Sequence, residues 1–529
     1  MVPENTDNSA KVVTENKWWN LPPIWWRGLI TILVILGIFL RFGTLDSKAY
    51  SHDEAYTSLR ISGYTMQEVR DRIFDGRVID VKELYQFQYP NSEKNFTDTI
   101  EGLAIEEAHL PPPYFLMARW WVQLFGNSVA VTRSLSAVFS LLAFPAVYWL
   151  CLELFESPLV GWIAIAIFSV SPFHLLYAQD ARFYSLLILT ILLSSAALLR
   201  AMRLQTNSSW ATYALTVAMG FYTVLFSFLV AGSHAIYVAV VERFRFTKTL
   251  KAYLLASIAG FLLFVPWIVV IAINATQVAK TTGSAQTRSN IFALLRSWIL
   301  NLGRVFIDLQ IGDITAPIVL ILVGYALYYL YRKAPQKVSL FILSLIGLTA
   351  ICLVLPDLIL GWKLTTRARY LITSYLGIQL AVAYLFASGI VAIKSSTQQL
   401  WKVAMALLIS AQLASCAVKI LPGAPITSAS DYNINRANIL NQATRPLLVS
   451  SNNDLNPGEI LAMSSLLAPK VKLQLVIEPN IPKIPDGFSD VFLYNTSSKI
   501  EAELAKKYNI KVVDARAKIS RLEKKPGKS

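Results

Sequence analysis

Four sets of polar residues stand out because they interrupt or abut long apolar runs. Asp53 and Glu54 lie in AYSHDEAYTSLR, Gln179, Asp180 and Arg182 in SPFHLLYAQDARFYSLL, and Lys363, Arg367, Arg369 and Tyr370 in GWKLTTRARYLI. His109 precedes three consecutive prolines, which lead into Tyr114. A carboxylate within hydrogen-bond reach of a hydroxyl can take its proton. Arginine offers a fork that grips phosphate through two parallel hydrogen bonds. Held together, such residues suit transfer of a group from a phosphate-bearing lipid to a hydroxyl. Each set also has a plainer reading. The acidic pair could cap a helix, Asp180 and Arg182 could neutralise each other in a turn, and Arg367 and Arg369 could reach lipid headgroups. His109 could be a packing residue.

The elements that must position these groups follow from composition. Of 529 residues, 55% are hydrophobic and 15% charged, against about 45–50% and about 25% in soluble domains. Mean hydropathy is +0.48. The chain therefore reads as an integral membrane protein. Its net charge of +15 lies between apolar runs and not on a patch of its own, which fits membrane topology and no nucleic-acid partner. Cys151, Cys352 and Cys416 all fall in apolar segments, and the four histidines show no pair spacing, so neither a disulfide framework nor a histidine-built metal site is expected. No cofactor is required by any motif. A divalent metal between Asp53 or Asp180 and a phosphate stays open, although no spacing demands one.

With about 20 apolar residues needed per crossing, about eleven spans are expected: 25–43, 129–151, 158–177, 184–202, 209–224, 226–241, 252–273, 315–332, 338–356, 370–392 and 402–420. The first follows a polar leader without a small-residue cleavage site, so it reads as a retained anchor. Trp18, Trp19, Trp25 and Trp26 precede it as an interfacial belt. Residues 1–24 are expected to be cytoplasmic. That orientation places the basic loops around Arg200–Arg203, Arg243–Lys251, Arg332–Lys337 and Lys394–Lys402 inside. The acidic loop Glu153–Pro158 departs from the rule. The segment PPPYFLMARWWVQLFG (111–126) is short and carries Arg119 between apolar residues, so it reads as an interfacial helix and not a span. In this topology all four polar sets lie at the external edge of the bundle. In so charge-poor a chain, that convergence favours the chemical reading over the plainer ones.

The fold class expected is an α-helical polytopic membrane protein, 25–420, with interfacial helices in the external loop 44–128 and a small C-terminal α/β domain, 421–529. In that domain RPLLVSS, VKLQLVIEP, DVFLYNTS and IKVVDA read as strands, and PGEILAMSSLLAP and SSKIEAELAKKYN as helices. It has no glycine-rich phosphate loop and no cluster of acids with histidine. It is expected to present an acceptor, cover the site or dock a partner, with donor binding surviving its removal. The rival class is a lipid or solute transporter, whose usual internal repeats and mid-bilayer charges are not evident here.

At these residues the chain resembles the family 39-type glycosyltransferases of the C-type membrane fold, which include protein O-mannosyltransferases and lipid A aminoarabinose transferases. The resemblance covers roughly 25–420. It rests on Asp53–Glu54, on Pro111, Pro112 and Tyr114, on SPFHLLYAQDARFYSL, and on Arg369, Tyr370 and Leu371. It implies a polyprenyl-phosphate sugar donor, a lipid, glycan or protein acceptor, inversion at the anomeric carbon, and a site facing outward from a membrane, here expected to be a bacterial plasma membrane. By that likeness Asp53 is the candidate base, with Glu54 and Asp180 as further catalytic acids. Arg369, helped by Arg367, Lys363 and Arg182, would bind the donor phosphate. His109, Tyr114, Gln179 and Tyr370 are candidate substrate contacts. Arg182 is expected to pair with Asp180. The family commonly has His immediately before the proline pair, whereas Leu110 and Pro111 crowd that place and displace His109; Glu is commoner at the Asp180 position.

Overall fold

The computed structural model describes residues 24–283, 290–309, 311–420, 432–453 and 456–525. The leader with Trp18 and Trp19, and the stretch 421–431, lie outside the described residues. The chain opens with helix α1 (Ile24–Phe42) and then builds a loop body from α2 (His52–Ser62), α3 (Met66–Ile73), strand β1 (Asp75–Asp80), α4 (Phe96–Glu106) and α5 (Pro113–Phe125). The bundle follows: α6 (Val129–Phe155), α7 (Pro158–Ser169), α8 (Pro172–Ala178), α9 (Tyr184–Leu204), α10 (Asn207–Phe221), α11 (Ser227–Val241), α12 (Lys248–Ile273), α13 (Ala275–Thr282), α14 (Ile291–Phe306), α15 (Gly312–Lys333), α16 (Gln336–Leu360), α17 (Ile372–Ile390) and α18 (Ser395–Ile420). The C-terminal elements are α19 (Tyr432–Gln442), β2 (Pro446–Ser451), α20 (Asn456–Met463), β3 (Lys472–Val476), β4 (Asp490–Tyr494), α21 (Ser498–Ala505), β5 (Tyr508–Asp514) and β6 (Ile519–Lys524).

The protein is a multi-pass membrane protein. Among the described residues, seven helices are each long and apolar enough to cross a bilayer, and α7 with α8, bent by 62°, supplies an eighth. The other expected spans coincide with α1, α10 and α11, which are helical and apolar. The bend between α7 and α8 has a chemical cause and a chemical remedy. Pro172 cannot continue α7, which leaves carbonyls at its end without helical partners. Arg41, fully buried on α1, donates to the carbonyls of Phe168 (2.9 Å) and Ser169 (2.6 Å) and to Ser140 Oγ (2.9 Å). The two helices approach so closely that a Cβ at Gly37 would lie 2.5 Å from the Ser169 carbonyl oxygen.

The interfacial helix expected at 111–126 is α5, starting at Pro113 with proline in its first turn, a favoured place. Arg119 does not face outward from this helix. It is buried, donating to the Ile61 carbonyl (2.6 Å) and to that of Lys94, so it fastens α5 to the C-terminal end of α2. Trp120 remains 54% exposed on the outer side. The stretch between α12 and α15, where no span is expected, holds the amphipathic α14. Its Trp298 indole donates to Thr365 Oγ1 (2.7 Å) and its Asn301 amide to the Thr366 carbonyl (2.7 Å), securing the turn ahead of Arg369.

The C-terminal strands form a six-stranded sheet in the order β1-β3-β2-β4-β6-β5, with β3, β2 and β4 parallel and the outer pairings antiparallel. Sequence reading missed two of these strands and α19. β1 comes from the loop after the first helix, almost 400 residues before its partner β3, at Asp75↔Val476 and Asp80↔Lys472. One core also joins the two regions: Leu59, Val69 and Phe87 from the loop pack in a single cluster with Leu448, Ile460 and Leu473. At Gly458 the contact is so tight that a Cβ would meet His52 at 2.6 Å and Tyr56 at 2.8 Å. The expectation that donor binding survives loss of the domain must therefore be reversed. Truncation before residue 421 would strip β1 of its partner and expose the shared core under α2. The truncated chain is expected to lose both thermal stability and donor binding; a truncated protein with wild-type unfolding temperature and donor affinity would contradict this.

Candidate active site

The site is built on the first turn of α2. Ser51 caps it: Ser51 Oγ accepts from the Glu54 backbone N–H (3.2 Å), while the Glu54 carboxylate accepts from the Ser51 N–H (2.9 Å). This reciprocal capping box satisfies two end groups of the helix. The plainer reading of the acidic pair is thus correct for Glu54. Its two oxygens also receive both arms of Arg133, at 2.7 and 2.8 Å, and the Ala181 N–H at 2.9 Å. Arg133 spends its remaining donors on the carbonyls of Leu45 (2.6 Å), Lys48 (3.2 Å) and Ala49 (2.9 Å). Both side chains are almost fully buried. Glu54 is therefore sealed off from any substrate. Its expected catalytic role is replaced by a positioning one.

Asp53, one residue earlier, points elsewhere and is 39% exposed. It forms an ion pair with Arg369, whose Nη1 also donates to Tyr184 Oη (2.9 Å). Arg182 Nη1 reaches the Asp53 carbonyl and Thr57 Oγ1, both at 3.2 Å. Burial pushes the Asp53 carboxyl up, but the hydrogen bond from His52 and the charges of Arg182 and Arg369 outweigh it and hold the group well below the usual carboxylate range. Asp53 is therefore ionised at neutral pH. Segments remote in sequence meet here because each is anchored: α2 by Glu54, the turn at 180–182 by the Ala181 N–H, and the Arg369 segment by Asp357. The last residue, buried at the end of α16, accepts from the backbone N–H groups of Leu364 (3.0 Å) and Thr365 (2.7 Å).

The remaining candidates divide. Asp180 does not pair with Arg182 through side chains; the hydrogen bond between them joins the Arg182 N–H to the Asp180 carbonyl (2.7 Å). Arg182 is instead drawn to Asp53 and Thr57. Asp180 is left half-buried, with Oδ1 lacking a hydrogen-bond partner among the described residues. Burial, with the nearby charge of Glu54, pushes its carboxyl up to about 8. Tyr114 is fully buried, its hydroxyl 3.0 Å from Ser136 Oγ, which in turn donates to the Arg182 carbonyl (3.0 Å); it supports the turn and cannot touch a substrate. Gln179 is likewise buried and committed, accepting from Lys48 Nζ (2.6 Å) and donating to the Leu40 carbonyl (2.8 Å). Tyr370 packs its ring 5.6 Å from the Arg369 guanidinium. Lys363 and Arg367 are exposed, and no ion pair engages them among the described residues. His109 is half-buried beside Glu107 and Arg182, with Nδ1 lacking a hydrogen-bond partner among the described residues; burial lowers its pKa, so it is neutral at pH 7. Among the described residues no three His, Cys, Asp or Glu side chains converge as a metal-ligand set.

Arg133, Tyr184, Thr57 and Asp357 were missed from sequence. Arg133 and Asp357 had a usable signal, since each is an ionisable residue inside an apolar run, where a charge needs a partner. Tyr184 and Thr57 had none. Breaking a buried pair leaves an uncompensated charge and costs about 3–5 kcal/mol, so Glu54→Ala should lower the unfolding temperature sharply; an unchanged midpoint would refute the positioning role. Asp180 has a distinct signature. Its proton is held in the native state up to about pH 8 but lost near pH 4 from an unfolded chain. Between those limits the folded protein binds the extra proton, so stability should fall as pH rises, by at most about 1.4 kcal/mol per pH unit. Asp180→Asn should flatten that slope. An equal slope in the variant would assign the pH dependence to other groups.

Residues 109–270, which include the turn at 180–182 and Arg133, match the family described as dolichyl-phosphate-mannose-protein mannosyltransferase. No curated protein sequence matches the chain. Among solved structures, the fold is similar to that of ArnT from Cupriavidus metallidurans. Against the crystal structure bound to undecaprenyl phosphate the TM-score is 0.56 at 11% identity, and against the apo state 0.55 at 12% identity. Each match covers 94% of this chain and 98% of that one. Family match and fold together make the chain a membrane glycosyltransferase that resembles the protein O-mannosyltransferases and the aminoarabinose transferases.

Proposed function

We propose that the protein transfers a sugar, with inversion, from a polyprenyl-phosphate donor to an acceptor hydroxyl at the outer face of a bacterial plasma membrane. The observation that carries this reading is the contact between Asp53 and Arg369, a carboxylate base and a phosphate-binding fork held against each other. The donor phosphate competes with Asp53 for Arg369. As Arg369 turns to the phosphate, Asp53 loses one of the charges that depress its basicity and becomes better able to accept a proton. The acceptor oxygen then attacks the anomeric carbon from the face opposite the phosphate, its proton passing to Asp53. The bond from that carbon to the phosphate oxygen breaks, and the lipid phosphate leaves with its electron pair against Arg369, with Lys363 and Arg367 exposed in the same segment. Arg182 steadies the turn carrying Asp53 through its carbonyl. Asp180, neutral at pH 7, keeps a further negative charge out of the site. The likeness to a fold crystallised with undecaprenyl phosphate supports a polyprenyl-phosphate carrier, and the distribution of Lys and Arg among the short loops supports an outward-facing site.

General-base help is worth about 10²–10⁴-fold. Asp53→Asn should lose turnover by that order while binding the lipid phosphate at least as tightly, because Arg369 is released. Near-normal turnover would remove Asp53 from the chemistry. Arg369→Lys keeps a charge but loses the fork, so donor affinity should fall about tenfold or more, as for loss of a charge-assisted hydrogen bond. Unchanged donor affinity would reject the assignment. Turnover by purified protein in detergent separates transfer from transport, because transport needs two compartments. Turnover that survives thorough chelation would exclude a divalent ion.

A further inference from the structure

A second concavity lies on the loop body, away from Asp53. It is a groove of about 710 Å³ where three separate parts of the chain meet: the segment 85–93, the turn between α5 and α6 at Asn127, and the C-terminal domain at Ser465. Tyr85 and Tyr89 stand on its wall with ring centroids 6.2 Å apart and planes inclined at 60°. Tyr85 is 36% exposed. The groove is lined by the amides of Gln86, Asn91 and Asn127 and the carboxylate of Glu93, with no lysine or arginine and no aliphatic side chain apart from Pro90. Its wall is set in advance. Asn91 donates to the Gln86 carbonyl (3.1 Å) and accepts from the Glu93 N–H (2.9 Å), while Glu93 accepts from Tyr64 Oη (2.8 Å) and Arg72 (3.0 Å). Among the described residues, no hydrogen bond engages the hydroxyls of Tyr85 and Tyr89 or the amide of Asn127.

This lining selects by chemistry. A lipid tail needs an apolar wall, and a phosphate needs cations. One exposed and one half-buried tyrosine ring among amides, one carboxylate and free hydroxyls suit a neutral saccharide, whose C–H faces lie on the rings while its hydroxyls bond the amides. An inner cavity shares Tyr89 and Ser465 with the groove and extends to Tyr50, whose ring lies 5.4 Å from the Arg133 guanidinium. The groove thus adjoins the packed region that carries α2. We propose that it is a subsite for a neutral saccharide portion of the acceptor, an inference that rests on the transferase reading above and names its acceptor class as a glycan.

The test uses the full-length protein in detergent and saturation-transfer NMR with three probes, maltotetraose, cellotetraose and mannotetraose, beside an uncharged serine-rich octapeptide. Saturation is expected to pass to at least one tetrasaccharide. It should fall about fivefold in Tyr85→Ala and in Asn127→Ala, in keeping with the loss of one aromatic or hydrogen-bonding contact, and persist in Tyr85→Phe. Both variants alter partly exposed residues, and an unchanged unfolding temperature confirms that each is folded. Transfer to no tetrasaccharide, transfer unaltered in both alanine variants, or transfer to the peptide alone would overturn the inference. Donor turnover measured on the same samples keeps the two readings apart. If donor is consumed and no saccharide binds, the groove assignment fails while the transferase stands.

Discussion

The site depends on one buried ion pair. Glu54 and Arg133 sit where loop, bundle and the 180–182 turn meet, and neither could be buried there alone, because an unpaired charge away from water carries a penalty of several kcal/mol. Paired, they satisfy five backbone groups in addition to each other: two N–H groups through Glu54 and three carbonyls through Arg133. That geometry leaves little freedom. The chain from Leu45 to Glu54 is wrapped around one guanidinium, and the following helix can start in only one direction. Asp53 is aimed by its neighbour.

Two adjacent acids thus divide their labour by environment. Glu54 is enclosed and neutralised, whereas Asp53 is half-open and held by Arg369. Asp180 shows the third outcome, a half-buried carboxyl with one oxygen lacking a hydrogen-bond partner among the described residues, and keeps its proton. The same economy governs Arg41, which trades its charge for the carbonyls released at the break between α7 and α8. In a chain with so few charges, those that are buried are structural joints. The loop body adds a second constraint. Since β1 belongs to the C-terminal sheet and Leu59 shares a core with Leu448 and Ile460, the helix that carries Asp53 is clamped between the membrane bundle and the C-terminal domain.

Much of this was legible in the sequence, and the boundary has a physical meaning. Apolar runs long enough to cross a bilayer follow from composition alone, so the helices appear where hydropathy puts them. The proximity of Asp53, the 180–182 turn and Arg369 followed from depth, since topology sets which span ends share a face. Partner choice did not follow. Spacing could not reveal that Glu54 turns inward to Arg133 while Asp53 turns out to Arg369, or that Arg182 prefers the Asp53 carbonyl to Asp180. Tyr114 and Gln179 looked like substrate contacts because they sit in the right segments; their burial is a property of packing. β1 was invisible because a six-residue strand gains its identity from a partner almost 400 residues away.

In the proposed mechanism Arg369 exchanges Asp53 for the donor phosphate. A structure of the protein with polyprenyl phosphate bound, determined by electron cryo-microscopy, tests it most directly. The prediction is that the Arg369 guanidinium lies within hydrogen-bond distance of phosphate oxygens, with the Asp53 carboxylate released toward the opening of the site and the Glu54–Arg133 pair unchanged. A lipid phosphate bound elsewhere while the Asp53–Arg369 pair remains intact would contradict it.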